Sequence, residues 1–390
     1  VYFLPDQSEA RKWVAKKDGS GYLCPLHETH SMAKVTIDDQ EIEVPDGTTI
    51  LQAARMIGGE LVPPAMCYYS KLKGSGGKCR TCLVEVSQGS AKDPRPMPKL
   101  MVSCSTSVMD GMVVKNLTSP RVLEARKGVV EFLLINHPLD CPICDQAGEC
   151  DLQNLGYKHG LAKTRYEEER RTFDRIDIGD KIQLHMNRCI LCYRCTYVAD
   201  QLTDKRVHGV INRGDHAEIS TYIQNAVDND FCGNMIDVCP VGALTDKTFR
   251  FKNRVWFTKP VDAHRSCSKC SGNVVLWYKG EEVLRVTARK DQNGEVQEWI
   301  CNDCRFDHKK TSDWTIEGPT HISRGSVIGQ NHYEHIDLQK LRLEVQRQQR
   351  VQGGRQEIGE HYSQEQFNTE EKKAVFETQK SLGAYRGKNA

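Results

Sequence analysis

Apolar and polar positions alternate in two short runs, residues 35–37 and 42–44, on either side of a polar turn, and the period then changes. Val35 and Ile37, then Ile42 and Val44, alternate with polar neighbours on either side of Asp38-Asp39-Gln40, the pattern of a β-hairpin with one buried face. Pro45-Asp46-Gly47 supplies a turn. Thr49 and Gln52 then form a capping box that opens a helix over Ile50–Ile57. Hairpin, helix and a following cysteine loop predict a small α+β unit. A second helix is expected after Ser119, a capping residue followed by Pro120 at the first helical position. Its apolar positions, Val122, Leu123, Val129, Phe132 and Leu133, mark the face expected to be buried. Asn136-His137-Pro138 should end it, because the residue before a proline resists the α conformation. Short strands are expected around Asn273–Tyr278 and Glu282–Val286.

Composition divides the rest. Residues 1–31 are polar, lack periodicity and read as an N-terminal extension containing an isolated Cys24. From about Gly318 to residue 390, Gln, Glu, Lys and Arg dominate and cysteine is absent. This charged tail is expected either to be partly helical and dock along partners or to be disordered. A length of 390 residues suits two to four domains. No run of eighteen apolar residues is present to span a bilayer, and no charged-then-apolar start reads as a secretory signal. The net charge of +2 gives no global pull toward nucleic acid or anionic membrane.

The 17 cysteines change the picture most. Most fall in Cys-x2-Cys pairs, and the lack of a secretory signal favours a reducing compartment, so metal binding is preferred over disulfides. The first set is Cys67, Cys79, Cys82 and Cys104, with Lys73-Gly74-Ser75-Gly76-Gly77-Lys78 leading into the tight pair. Glycines let a backbone wrap closely enough for amide N–H groups to reach cluster sulfurs, and the order loosely follows the plant-type layout of a 2Fe–2S centre. Structural zinc is the rival here. A phosphate loop is disfavoured, because Lys78 is followed by Cys79 rather than Ser or Thr.

The second set is His137, Cys141, Cys144 and Cys150. Three thiolates leave a 4Fe–4S cube one ligand short, and His137 is the economical fourth; zinc held by three cysteines and a histidine is the alternative. The third set is Cys189, Cys192 and Cys195, the bacterial ferredoxin spacing for a 4Fe–4S cluster. Ala199 occupies the usual position of the next ligand, so Cys239, followed by Pro240, closes the cube. Cys232 nearby is spare and reads as a small buried hydrophobe. The fourth set is Cys267, Cys270, Cys301 and Cys304, two pairs thirty residues apart that suit either a 4Fe–4S cluster or tetrahedral zinc.

In this order the four blocks resemble the large iron–sulfur subunit of the proton-pumping NADH:quinone oxidoreductase, respiratory complex I. The resemblance covers roughly Met32 to Lys310 and is carried by Gly77-Lys78-Cys79-Arg80-Thr81-Cys82, Asn136-His137-Pro138-Leu139-Asp140-Cys141-Pro142-Ile143-Cys144, Arg188-Cys189-Ile190-Leu191-Cys192-Tyr193-Arg194-Cys195 and Cys239-Pro240-Val241-Gly242-Ala243-Leu244. It implies one 2Fe–2S cluster in the first set, a His-ligated 4Fe–4S cluster in the second and a 4Fe–4S cluster in the third. Some members add a 4Fe–4S cluster bound by Cys-x2-Cys-x3-Cys and a later cysteine. Here Val274 stands at the third of those positions and Cys304 is an extra thiolate, so a third 4Fe–4S cluster and zinc both stay open at the fourth site. The family usually continues into a large molybdopterin-oxidoreductase-like domain, whereas this chain ends in the charged tail and is expected to be a short or truncated form.

The expected organisation is α+β throughout. It runs from the extension 1–31 to a β-grasp 2Fe–2S ferredoxin-like domain over 32–116, and then a helical segment over 117–160 with three cysteines and His137. A 4Fe–4S ferredoxin-like domain over 161–254 follows, then a β-rich four-cysteine domain over 255–317 resembling the N-terminal 4Fe–4S domain of molybdopterin oxidoreductases, and the tail 318–390. No residue pattern suggests acid–base or nucleophilic chemistry, and no dinucleotide fingerprint is evident. The resemblance therefore implies a flavin-bearing partner that oxidises NADH, a quinone-side iron–sulfur partner, and a place in a peripheral arm on the cytoplasmic face of a bacterial inner membrane. The alternatives are the diaphorase-side electron-transfer subunit of an NAD-reducing hydrogenase and, in another class, a zinc-stabilised scaffold without redox activity. An iron-only hydrogenase is disfavoured, since no cysteine follows Cys304.

Overall fold

The computed structural model describes residues 31–161, 164–174, 176–203, 206–221 and 227–319. Cys24, residues 1–30 and the tail from residue 320 lie outside the described residues.

β1 (Met32–Ile37) and β2 (Gln40–Pro45) form the expected hairpin, with Ile37 opposite Gln40. Asp38 and Asp39 both adopt left-handed φ angles (43° and 69°), which matches the twist of a two-residue hairpin turn. α1 (Ile50–Ile57) opens on the full capping box. Gln52 N–H donates to Thr49 Oγ1 at 3.3 Å, and Thr49 N–H donates to Gln52 Oε1 at 2.9 Å. β3 (Leu83–Gln88), β4 (Met101–Val102) and β5 (Met112–Lys115) complete a five-stranded mixed sheet in the order β2-β1-β5-β3-β4, with β1 and β5 parallel. Val35, Ile37, Val44, Ile50, Val84 and Val114 are among the residues that fill the core between this sheet and α1. Leu51, on the same helix, packs instead against Cys82 and Cys104 and so joins the sheet domain to its cysteine loop.

α2 (Pro120–Ile135) begins and ends as expected, with Ser119 Oγ accepting from the Val122 N–H. Its buried stripe differs in part: Val122 is buried and Leu133 packs against the core as expected. Val122, Arg126 and Val130 face inward, while Leu123 is exposed and Phe132 is 74% exposed. Arg126 decides the face. It is 1% exposed, with Nε donating to Thr81 O (3.2 Å) and Nη2 to Leu83 O (3.2 Å) and Asn116 Oδ1 (2.6 Å). Burial pulls its pKa down to about 10. A periodicity reading that counts only apolar residues cannot place a hydrogen-bonded guanidinium in a core.

Next come α3 (Asp151–His159), β6 (Ile182–Leu184), α4 (Arg194–Leu202), β7 (His208–Ile211), β8 (Glu218–Thr221), α5 (Asn234–Val238) and β9 (Leu244–Asp246). β6 pairs antiparallel with β9, and β7 with β8. The last sheet is antiparallel in the order β12-β11-β10-β13, from β10 (Lys259–His264), β11 (Val274–Lys279), β12 (Glu282–Ala288) and β13 (Thr315–Pro319). β11 and β12 fall where short strands are expected. β13 runs past residue 317, where the tail was expected to take over, because its last residues still pair with β10.

Candidate iron–sulfur and metal sites

The first set sits on the loop between α1 and β3 and on the turn after β4. Cys67, Cys82 and Cys104 are buried. Backbone amides turn inward as the glycine run implies. Gly77 N–H donates to Cys104 Sγ at 3.2 Å, and Lys78 and Cys79 N–H groups donate to Cys67 Sγ at 3.3 Å each. Gly76 has φ +108°, and a methyl group there would stand 3.2 Å from Cys104 Sγ. Cys67 is hydrogen-bonded to Cys104 and Cys79, which hold its thiol far below the ordinary range, and Cys104 is hydrogen-bonded in turn to Cys82. Cys79 and Cys104 are pushed upward. Such thiols cannot all ionise beside one another unless a cation compensates them.

In the second set a tight turn presents two ligands, with Ile143 and Cys144 N–H groups donating to Asp140 O at 2.9 and 2.8 Å. His137, Cys141, Cys144 and Cys150 all line one cavity of about 280 Å³. His137 Nδ1 is buried with no hydrogen-bond partner, an arrangement that buried polar atoms rarely keep. Burial, then Arg188, draw the His137 pKa down to about 4, so the imidazole is neutral and able to ligate. Burial also raises the Cys144 thiol and pushes Cys150 up to about 12. Gly242 closes the cavity. A methyl group at that position would lie 2.0 Å from Cys144 Sγ.

The third set depends on a distant pairing. Cys195 and Cys239 are 44 residues apart, and β6 on β9, with Leu184 opposite Leu244, brings the two arms together. Leu191 and Tyr193 adopt left-handed φ angles (51° and 64°), unusual for bulky residues. They turn Cys189, Cys192 and Cys195 toward a cavity of about 360 Å³ that Cys239 also lines. Burial raises all four thiols, Cys192 up to about 12. The spare Cys232 is fully buried in the same core, donating to Val227 O at 3.3 Å.

These three sets share neighbours. Val241 and Ala243 line the third cavity while the intervening Gly242 lines the second, so one extended segment is the wall between them. Arg188, next to Cys189, binds Asp140 Oδ2 through Nε (3.0 Å) and Nη2 (2.9 Å). Arg194 Nη2 donates to Ala65 O and Tyr68 O, both at 2.8 Å, and so holds the Cys67 loop against α4. Lys78 Nζ donates to Tyr197 Oη at 2.9 Å across the same boundary. Sequence reading missed Arg188, Arg194 and Gly242 as site residues. All three stand within the quoted motifs, which was the one available signal. The fourth set is also assembled, with its four sulfurs all within 4.8 Å of one another.

Family models match three spans of the chain. A 2Fe-2S iron-sulfur cluster binding domain matches residues 30–119, the NADH-ubiquinone oxidoreductase-G iron-sulfur binding region matches 126–165, and the NADH-quinone oxidoreductase subunit 3 ferredoxin-like domain matches 179–245. Each span encloses one of the first three ligand sets. The chain is therefore an iron–sulfur protein with 2Fe–2S and 4Fe–4S domains. A subunit of the NADH-quinone oxidoreductase of Rickettsia bellii is 40% identical over 298 residues, 76% of this chain and 42% of that one. The 75 kDa subunit of NADH-ubiquinone oxidoreductase of Reclinomonas americana is 41% identical over 275 residues, 70% of this chain and 38% of that one. The mitochondrial NADH dehydrogenase [ubiquinone] iron-sulfur protein 1 of Solanum tuberosum is 38% identical over 281 residues, 72% of this chain and 36% of that one. Over these residues the chain is similar to the large iron–sulfur subunits of NADH:quinone oxidoreductases. It spans less than half the length of these relatives. A solved chain of an NAD+-reducing NiFe hydrogenase in the H2-reduced state is 26% identical, with a TM-score of 0.49, over 57% of this chain and 91% of that one.

Proposed function

We propose that this chain is an electron-transfer subunit of a respiratory NADH:quinone oxidoreductase, relaying single electrons from a flavin-bearing, NADH-oxidising subunit toward quinone-side iron–sulfur subunits. In this reading Cys67, Cys79, Cys82 and Cys104 hold a 2Fe–2S cluster on a β-grasp domain. His137, Cys141, Cys144 and Cys150 hold one 4Fe–4S cluster, and Cys189, Cys192, Cys195 and Cys239 hold another. When bound, these groups supply one-electron carriers. The four-cysteine domain that follows resembles the N-terminal 4Fe–4S domain of molybdopterin oxidoreductases.

One observation carries the relay. A single apolar cluster built on Met66, Val130, Leu152, Leu155 and Val241 takes in Cys79, Cys150, Cys189 and Cys239, members of all three sets. Candidate ligands from all three sets thus meet on one apolar core, and the residues around them set potentials through ligand type, hydrogen bonds and burial. No helix among the described residues is long and apolar enough to cross a membrane. The similarity to complex I subunits supports attachment through partner subunits, in a peripheral arm on the cytoplasmic face of a bacterial inner membrane.

His137→Cys tests the ligand assignment. A thiolate in place of a neutral imidazole adds one negative charge, which disfavours the reduced state. The variant should still assemble, and redox-titrated EPR should show a lower midpoint for one 4Fe–4S signal. An unchanged midpoint would count against ligation by His137. In the same titrations NADH alone should leave every signal oxidised, and adding the flavin-bearing subunit should allow reduction.

A further inference from the structure

The fourth set differs from the others in how its sulfur atoms are placed. Cys267 and Cys301, Cys270 and Cys301, and Cys270 and Cys304 each bring their Sγ atoms to 3.6 Å. All four lie within 4.8 Å of one another. Two thiolates on one tetrahedral ion with metal–sulfur bonds of about 2.3 Å stand about 3.8 Å apart. In a cube each thiolate holds a different iron, which spreads the sulfurs to roughly 6 Å. The third set shows the contrast within this molecule. Its cysteines line a pocket, and among the described residues no comparably tight group forms there. A third 4Fe–4S cluster therefore does not fit the fourth set, and one ion does.

We propose that Cys267, Cys270, Cys301 and Cys304 form a closed structural zinc site. This goes beyond the electron-relay reading and does not depend on it. The two arms are shaped for a single ion. Residues 265–272 close into a knuckle, with Arg265 N–H donating to Gly272 O at 3.3 Å, and Gly272 takes φ +74° where a methyl group would stand 2.0 Å from Arg265 O. The second arm carries Cys301 and Cys304, both fully buried, into the π-helical turn Asp303–Asp307. Lys269 and Cys304 N–H groups donate to Cys267 and Cys301 Sγ at 3.4 and 3.5 Å. Four thiolates in a closed tetrahedron are a set zinc takes without redox chemistry.

The site also braces the third set. Asn302, between the two cysteines of the second arm, accepts from Gly233 N–H at 2.9 Å and donates to Asn229 O at 2.7 Å. Asn234, at the start of α5, exchanges hydrogen bonds with the Ile300 backbone at 2.9 and 3.2 Å, and Arg305 pairs with Asp237 of the same helix. α5 ends at Cys239. Zinc in the fourth set thereby fixes the arm that presents the third set's last ligand.

The test is zinc and iron analysis of the purified full chain, with zinc K-edge X-ray absorption. The expected result is one zinc per chain with four sulfur neighbours at about 2.3 Å. Cys267→Ser/Cys270→Ser, on the partly exposed knuckle, should lose that zinc while the 2Fe–2S signal persists. Four things would each overturn the proposal: substoichiometric zinc with oxygen or nitrogen neighbours, a single iron in a tetrathiolate site, a drop of about four irons in the variant, or neither metal. Should the variant fail to fold, the absorption spectrum of the unmodified chain decides alone.

Discussion

Arg126 and Phe132 lie on the same helix, and periodicity alone places them the wrong way round. Phe132 projects outward, while the Arg126 guanidinium supplies hydrogen bonds to Thr81 O, Leu83 O and Asn116 inside the domain. Removing it strands those acceptors as well as the packing of its stem, so Arg126→Ala should cost about 3 kcal/mol. Phe132→Ala should change stability by less than about 0.5 kcal/mol. Anaerobic urea unfolding of the two variants measures both; equal losses would show that the apolar face is the buried one after all. At this scale the candidate ligands are legible in the sequence, because Cys-x2-Cys spacing is a local geometric requirement. The residues that hold the ligands in place are not. Whether Arg188 meets Asp140, or Arg194 meets Ala65 and Tyr68, depends on segments 48 to 129 residues apart.

Among elements, the hairpin, the capping box on α1 and the start of α2 are readable because each is fixed by neighbours within four residues. β6 and β9 leave no such local signal. Each is only three residues long, and each exists because it pairs with the other across about sixty residues. That pairing matters most for function, since it sets the segment after Cys239 between two donor cavities. Gly242→Ala tests this arrangement. A free thiol at Cys144 could swing away from the new methyl group, but a ligating one cannot. The variant should therefore lose the His137-side 4Fe–4S signal and about four irons per chain, while the 2Fe–2S signal stays. Full retention of iron would mean that Cys144 is not a ligand.

Across the whole molecule, the segment between β12 and β13 is fastened to the first domain through buried charge. Arg55 of α1 pairs with Glu295 at 2.7 Å, Ser70 N–H donates to the same carboxylate at 2.8 Å, and Val296 N–H donates to Tyr69 Oη at 2.7 Å. Tyr69 and Ser70 follow closely on Cys67, so the domain carrying the fourth set also steadies the loop of the first. The α+β character and the sequence of metal blocks can be read from cysteine spacing and local pattern. The contiguity of the first three sets cannot, because it is built from apolar contacts scattered between residues 66 and 243. Three electron-carrying sites are thus proposed around one apolar core, with a redox-silent metal beside the third. Metal content combined with EPR under graded reduction tests this most directly. The expected result is about ten irons per chain, one zinc, and three reducible signals, one of the 2Fe–2S type and two of the 4Fe–4S type. Several zincs with little iron and no reducible signal would contradict it.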